Sequence, residues 1–364
     1  MIFVPIIKPI GGDCNINCRY CYFRPKKLVG CGKGMMSDKI LAELINQTCA
    51  VQDKVEFIWH GGEPLLAGID FYKKVIELQI PWAKRDVKIH NSIQTNGILI
   101  DKTWIEFLKK NYFSVSVSVD GPKELHDKVR VDLNGEGTFD KVMRGIRFLQ
   151  SANLLSGVIC CVSKTNHAYP KEIFDFFIKQ NIKEIKFLQV QGRDESGNLL
   201  PDSVKPIEFA NFLLEVMQLW LELDDTSVII IEIESVIKAM LGQEIRDCMF
   251  LGECHKYFTI YPNGDVYGCD SLPKIEQLCF GNISDGLEKI AHSRHFNCLK
   301  KRMSEIQSNC RDCRWFNICH GGCLQDYYPD FLNPETENLF CPGLKKIYKK
   351  IDQILREYGL LKAE

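Results

Sequence analysis

The sequence predicts an α/β fold, a parallel sheet of six strand–helix units followed by a smaller cysteine-rich domain. Three observations carry that reading. Up to about residue 195, short β-rich runs alternate with segments whose apolar residues recur at helical spacing. The 364 residues exceed what one small core absorbs and suit about two domains. Ten of the seventeen cysteines fall between 248 and 341, where helical periodicity weakens and turn signals such as Pro262-Asn263-Gly264-Asp265 appear.

Taken in order, strands are predicted at 2–9, 54–59, 87–94, 113–119, 157–163 and 184–190. Helices are predicted near 37–50, 69–83, 102–111, 138–152 and 170–180. Repeated strand–helix units imply parallel strands joined by right-handed crossovers. Six units are too few for an eight-fold barrel and suit an open partial barrel or a doubly wound sheet. In both, ligands collect at the carboxyl ends of the strands. The notable motifs sit there: three cysteines after the first strand, His-Gly-Gly-Glu-Pro (60–64) after the second, Gln-Thr-Asn-Gly (94–97) closing the third and Asp-Gly-Pro (120–122) after the fourth. The expected division is 1–195 for this part, 196–247 for a connector with a helix at 206–223, 248–345 for the cysteine-rich domain, and 346–364 for a C-terminal helix, whose amphipathic pattern runs over 343–360.

Charge excludes some partners. Forty-six Lys and Arg nearly cancel forty-seven Asp and Glu, so nothing announces nucleic acid or an anionic membrane surface. The apolar N-terminus is interrupted by Lys8 and Pro9 and lacks a cleavage pattern, and the run 228–233 is far shorter than the roughly 20 residues that span a bilayer. A soluble, cytoplasmic protein is expected. In that compartment seventeen cysteines conflict with a disulfide framework, and the odd count argues against full pairing. Metal or cluster ligation removes the conflict.

Cys14, Cys18 and Cys21 form a C-x3-C-x2-C loop behind Gly11 and Gly12. Structural zinc and simple ferredoxin clusters take four protein ligands, so three thiols leave one iron open to an exogenous ligand. With Tyr20 before the third cysteine, the loop resembles the signature of the radical S-adenosylmethionine (radical SAM) enzymes. The resemblance implies that Tyr20 leans on the adenine of SAM, and that Gly61, Gly62 and Glu63 hold its amino group. Physically, glycine permits close backbone approach and a carboxylate can pair with an ammonium. It also puts Gln94 and Asn96 at the SAM site, with Ser118 and Arg130 near ribose and carboxylate. An ordinary β-to-α turn at 60–64 and a surface ion pair for Arg130 are the plainer readings.

Farther along, Cys254, Gly264 and Cys269 give C-x9-G-x4-C, and Cys310, Cys313, Cys319 and Cys323 give C-x2-C-x5-C-x3-C. Cys341 follows and Cys248 precedes. This looks like the SPASM extension of peptide- and protein-modifying radical SAM enzymes. By that resemblance, Cys248, Cys254, Cys269 and Cys323 hold one auxiliary cluster, and Cys310, Cys313, Cys319 and Cys341 a second. Two zinc sites are the alternative. Cys31, Cys49, Cys160, Cys161, Cys279 and Cys298 are left as small buried hydrophobes or bystanders. Asp270 follows Cys269; in anaerobic sulfatase-maturating relatives a Cys-Asp pair there supplies a general base, whereas the plainer reading is a solvated turn aspartate. His60 lies on the active face, while His255 and His320 flank cluster cysteines without being expected ligands.

The whole resembles a partial (β/α)6 TIM-like radical SAM barrel with a C-terminal cluster-binding SPASM domain, carrying SAM and three [4Fe–4S] clusters. It implies cleavage of SAM to a 5′-deoxyadenosyl radical and a two-electron oxidation at a side-chain β-carbon of a peptide, with Asp270 taking the proton. The first expectation is a cross-link such as a cyclophane in a ribosomally made, leader-bearing precursor, suggested by Trp59-His60-Gly61-Gly62-Glu63-Pro64 and the segment 130–146. The alternative is an anaerobic sulfatase-maturating enzyme that converts Cys or Ser to formylglycine; against it, those enzymes resemble one another in having Gln where His60 stands. A low-potential donor such as flavodoxin or ferredoxin is implied. A non-catalytic zinc or iron–sulfur module is the remote third reading.

Overall fold

A computed structural model describes residues 3–21, 34–193, 199–327 and 330–362. In chain order its elements are β1 (Val4–Ile7), α1 (Asp38–Val51), β2 (Lys54–Trp59), α2 (Gly68–Ala83), β3 (Lys88–Thr95), α3 (Lys102–Lys110), β4 (Ser114–Ser118), α4 (Lys123–Val129), α5 (Phe139–Ser151), β5 (Leu155–Val162), α6 (Pro170–Lys179) and β6 (Glu184–Gln189). There follow α7 (Pro206–Leu223), β7 (Ile229–Ile230), α8 (Ile231–Met240), β8 (Tyr257–Ile260), β9 (Asp265–Tyr267), β10 (Cys279–Asn282), α9 (Leu287–Ala291), α10 (Arg294–Cys310), α11 (Phe316–Cys319) and α12 (Cys341–Glu357). The chain forms two compact units, neither continuous in sequence. One takes Met1–Ser118, Arg130–Ser156 and His255–Lys301, the other Val119–Val129, Gly157–Cys254 and Arg302–Glu364.

In the first unit β1, β2, β3 and β4 run parallel side by side, with Ile7 opposite Trp59, Trp59 opposite Ile93 and Thr95 opposite Val117. Their carboxyl ends therefore lie in a row. On its other side β1 pairs in parallel with β8, which continues antiparallel into β9 and β10. β2 alternates exposed and buried residues along Lys54–Trp59, the period-two signature of a strand with one face inward. Ser37 and Asp101 cap α1 and α3 by accepting from Ile40 N and Trp104 N, which supplies partners for amides that the first helical turn leaves bare.

Behind the end of β2 lies an aromatic core. Trp59 meets Phe71 and Tyr72 edge-on at 5.9 and 5.6 Å, and Tyr72 meets Trp104 and Phe113 at 5.7 and 6.0 Å. Each such pair adds about 0.5–1.5 kcal/mol beyond burial. Trp59 Nε1–H donates to Asn91 Oδ1 at 2.9 Å, so the one polar atom of the ring is satisfied. The residue before the 60–64 turn is thus fixed on a rigid wall.

In the second unit β5, β6 and β7 run parallel. Phe187 on β6 packs edge-on against Phe212 on α7 at 5.1 Å, and Phe209 of α7 lies 5.6 Å from Phe340, just before α12. Several segments differ from expectation, α4 among them as a helix that was not predicted. The apolar run 228–233 divides between β7 and α8, so the connector carries a second helix. The region of weak periodicity contains the seventeen-residue α10, whose buried Phe296, Leu299, Met303 and Ile306 form one narrow stripe diluted by charged neighbours. Among the described residues no helix is long and apolar enough to cross a membrane.

Candidate active site

The turn after β2 is shaped by what passes beneath it. Gly61 and Gly62 have φ of 80° and 46°, and a Cβ on Gly61 would fall on the Cδ of Lys8, one on Gly62 on the carbonyl of Asp13. Both positions demand glycine twice over, by backbone conformation and by close approach. Glu63 N donates to the Asp13 carbonyl at 2.8 Å, tying the turn to the segment that leads into the three-cysteine loop.

Glu63, expected opposite an ammonium, has its carboxylate inside the protein. It accepts from Leu65 N (3.0 Å), Thr95 Oγ1 (2.7 Å) and Asn96 N (2.8 Å), which clamps the end of β3 to the turn. Burial pushes its carboxyl up to about 7, against the pull of those three donors. Asn96 in turn donates from Nδ2 to Asn15 Oδ1 at 2.7 Å and toward Cys14 Sγ at 3.7 Å. Arg130, buried, points Nη1 at Cys18 Sγ (3.9 Å) and stands 5.6 Å over the Tyr20 ring. Gln94 Nε2 donates to Ser118 Oγ at 3.0 Å. The structure thereby brings Cys14, Cys18, Tyr20, Asn96 and Arg130 into one neighbourhood, with Gly61, Gly62 and Glu63 joined to it through Asp13 and Asn96.

Asp270, in the loop after β9, pairs with Lys8, whose side chain is 0% exposed; the carboxylate itself is 12% exposed. Lys8 Nζ also lies 3.3 Å from His60 Nδ1, and that nitrogen is 3.8 Å from the Asp270 carboxylate. His60, with 32% of its side chain exposed, is lowered to about 4 by desolvation and then by the Lys8 cation, so the ring is neutral. Asp270 is therefore no solvated turn residue, and it meets the one histidine expected on the active face.

In the second unit Cys310, Cys313, Cys319 and Cys341 line a single cavity walled by Trp315, Tyr327 and Tyr348. Cys310 ends α10, Cys319 ends α11 and Cys341 begins α12. Cys248 opens a turn capped by Asp247, and Cys254 is enclosed so that burial raises its thiol; Cys323 begins the turn that carries Asp326. Cys269 lies in the first unit. Of the unassigned cysteines, Cys49 and Cys160 are buried, Cys161 and Cys279 partly so, and Cys298 is exposed; Cys31 lies outside the described residues.

Known proteins match both halves. The family model of the radical SAM superfamily matches residues 9–177, and that of the SPASM iron–sulfur cluster-binding domain matches 248–314. The chain is similar to the cysteine-type anaerobic sulfatase-maturating enzyme of Clostridium novyi, at 31% identity over 95% of this chain and 94% of that protein. The chain belongs to the radical SAM superfamily. It is also similar to the serine-type anaerobic sulfatase-maturating enzyme of Bacteroides thetaiotaomicron, at 31% identity over 95% of this chain and 88% of the other. The solved structure of native anSMEcpe with bound AdoMet and Cp18Cys peptide superposes with a TM-score of 0.87, at 27% identity, covering 97% of this chain and 99% of that one.

This radical SAM/SPASM maturase thus has the expected fold class, a mixed α/β partial (β/α)6 barrel with a SPASM extension. The relatives shift the weight between the two expected reactions, because they are sulfatase-maturating enzymes, the reading that stood second, and not cross-linking ones. SAM and multiple [4Fe–4S] clusters are its cofactors. The residues fit them. Asn96 and Arg130 aim N–H groups at two of the three loop sulfurs, which suits thiolates. Beside the four-cysteine cavity the buried Tyr348 hydroxyl stands within hydrogen-bond reach of the Cys319 sulfur, a donor that suits a thiolate. Sequence reasoning missed Lys8, Thr95 and Asn15. A lysine inside an otherwise apolar first strand was the available sign for Lys8.

Proposed function

We propose that the chain is an anaerobic sulfatase-maturating enzyme that oxidises a Cys or Ser side chain of a protein substrate to formylglycine. The single observation that carries this reading is the Asp270 carboxylate held beside His60 at the Gly61-Gly62-Glu63 turn, a base next to the place where SAM is expected. The similarity to both a cysteine-type and a serine-type enzyme supports the same reaction and leaves both side chains as substrates.

Cys14, Cys18 and Cys21 would hold the SAM-binding cluster. Tyr20, the backbone of Gly61 and Gly62, Gln94, Asn96, Ser118 and Arg130 would orient SAM, with Glu63 fixing the turn and the end of β3. Cys248, Cys254, Cys269 and Cys323 would hold one auxiliary cluster, and Cys310, Cys313, Cys319 and Cys341 the other. On this reading the radical chemistry belongs to 1–195, the connector to 196–247, the auxiliary clusters to 248–345 and the closing helix to the tail. Bound there, SAM and its cluster supply a hydrogen-abstracting radical, and the auxiliary clusters accept an electron.

The chain's own part is to hold the peptide β-carbon in place, exclude water and move a proton. Asp270 takes the proton of the substrate thiol or hydroxyl. For serine, loss of one β-hydrogen atom, one electron and that proton leaves the aldehyde directly. For cysteine the same losses leave a C=S bond; water then adds at that carbon and hydrogen sulfide departs, giving the same aldehyde. The low-potential electron donor is of the flavodoxin or ferredoxin type.

The test is anaerobic incubation of the reconstituted protein with SAM, a reductant and sulfatase-derived peptides carrying Cys or Ser. An aldehyde-reactive product is expected. A peptide two hydrogens lighter, inert to an aldehyde probe and internally linked on fragmentation, would instead establish the second reading, a cross-linking maturase, which His60 and the segment 130–146 favour.

A further inference from the structure

Lys8 is the residue of this region that nothing above employs. It follows β1, is fully buried, and its stem runs beneath Gly61, where even one added carbon would collide with it. Its backbone is pinned as well, because Lys8 N donates to Ile260 O at 2.9 Å. The ammonium therefore emerges at one place, between Asp270 and His60. A buried cation is costly to desolvate, and an apolar side chain would fill the same channel at lower cost. The charge is thus poorly explained by stability and well placed to organise the two groups it meets.

The donor inventory sets what it does to each. An ammonium only donates, so the Lys8 contact at 3.3 Å makes His60 Nδ1 an acceptor. Gly61 N–H points at the same nitrogen from 2.5 Å. With Nδ1 accepting, the ring proton sits on Nε2. Among the described residues Nε2 has no hydrogen-bond partner, and a third of the side chain is open to solvent. His60 therefore presents an outward N–H, the same capacity that the amide of a glutamine would offer at that position. On its other side the ammonium grips the Asp270 carboxylate, the second polar group facing this space.

We propose that Lys8 is a positioning residue of the oxidation site, holding the Asp270 carboxylate in place and fixing His60 as the Nε2–H tautomer so that a peptide substrate meets one base and one hydrogen-bond donor. The inference rests on the role given to Asp270 under the proposed function. It separates two kinds of event: SAM cleavage, which Lys8 does not serve, and conversion of the peptide, which it does.

The experiment compares the full-length protein with Lys8→Met, whose unbranched stem still fits beneath Gly61, with Asp270→Asn, and with the double variant. Each is reconstituted anaerobically and given SAM, dithionite and a Cys peptide. For Lys8→Met the expected result is 5′-deoxyadenosine formation within about threefold of wild type, a peptide KM within about threefold, and at least a ~10-fold fall in peptide oxidised per 5′-deoxyadenosine. Because Lys8 acts mainly through Asp270 and to a smaller extent through His60, the double variant should lie within about threefold of Asp270→Asn alone. Three results would overturn the proposal: an unchanged product ratio, losses that multiply in the double variant, or loss of SAM cleavage itself, which would make Lys8 a support of the turn only. If Lys8→Met does not retain its iron, Lys8→Gln, which keeps a polar head, is compared in the same way and decides by the same ratio. Should wild type cleave SAM yet yield no aldehyde, the proposed reaction fails, and the Lys8 ratio is read on whichever two-hydrogen oxidation wild type performs.

Discussion

The loop of Cys14, Cys18 and Cys21 and the cavity of Cys310, Cys313, Cys319 and Cys341 both gather thiols, yet the groups around them differ in kind. The loop is held by polar contacts: Asn96 and Arg130 approach two of its sulfurs, and the Asp13 carbonyl ties it to Glu63 N. The cavity is walled by Trp315, Phe316, Tyr327, Leu344 and Tyr348, and three of its four cysteines, Cys310, Cys319 and Cys341, sit at the ends of helices. Burial also acts on the thiols themselves, pushing Cys14 up to about 12 and Cys319 up to about 11. On the proposed reading, three ligands among donors leave room for a substrate-like ligand and four in an aromatic box leave none, so the first site would react and the second would store an electron.

The largest effect that would break this contrast is at the loop. Cys14→Ala should abolish 5′-deoxyadenosine formation and lower iron by about four atoms from about twelve per chain, the auxiliary clusters remaining. Cys341→Ala should lose a similar amount of iron, about four atoms, yet still cleave SAM while peptide oxidation falls at least ~10-fold. If the two variants behaved alike, the division of labour would be wrong. Next comes Gly62→Ala. A left-handed φ of 46° and the Asp13 carbonyl leave no room for a methyl group, so a local cost of about 1–3 kcal/mol and at least ~10-fold weaker SAM binding by calorimetry are expected. The smallest effect is at His60. His60→Gln keeps an outward N–H and should stay within about threefold of wild type in product per SAM cleaved, whereas His60→Leu should lose more.

Much of this was legible in the sequence. The strands at 54–59 and 113–119 and the helices at 102–111 and 206–223 read directly from their periodicity, because each has one buried face. The cysteines read from spacing, since the loop needs three thiols within eight residues. What stayed hidden was tertiary. α10 buries only a thin apolar stripe among Lys, Arg and Ser, so local pattern did not separate it from loop. Glu63 was recognisable as functional, but its internal bonds to Thr95 and Asn96 join residues 32 and 33 positions away, which no spacing rule reports. Lys8 and Asp270 are 262 residues apart and meet only because β8 docks beside β1.

The most direct measurement places deuterium on both β-positions of the cysteine in the peptide substrate. The account predicts one deuterium in 5′-deoxyadenosine and one retained on the carbonyl carbon of an aldehyde product. Deuterium left wholly in the peptide, or its transfer without an aldehyde, would contradict it.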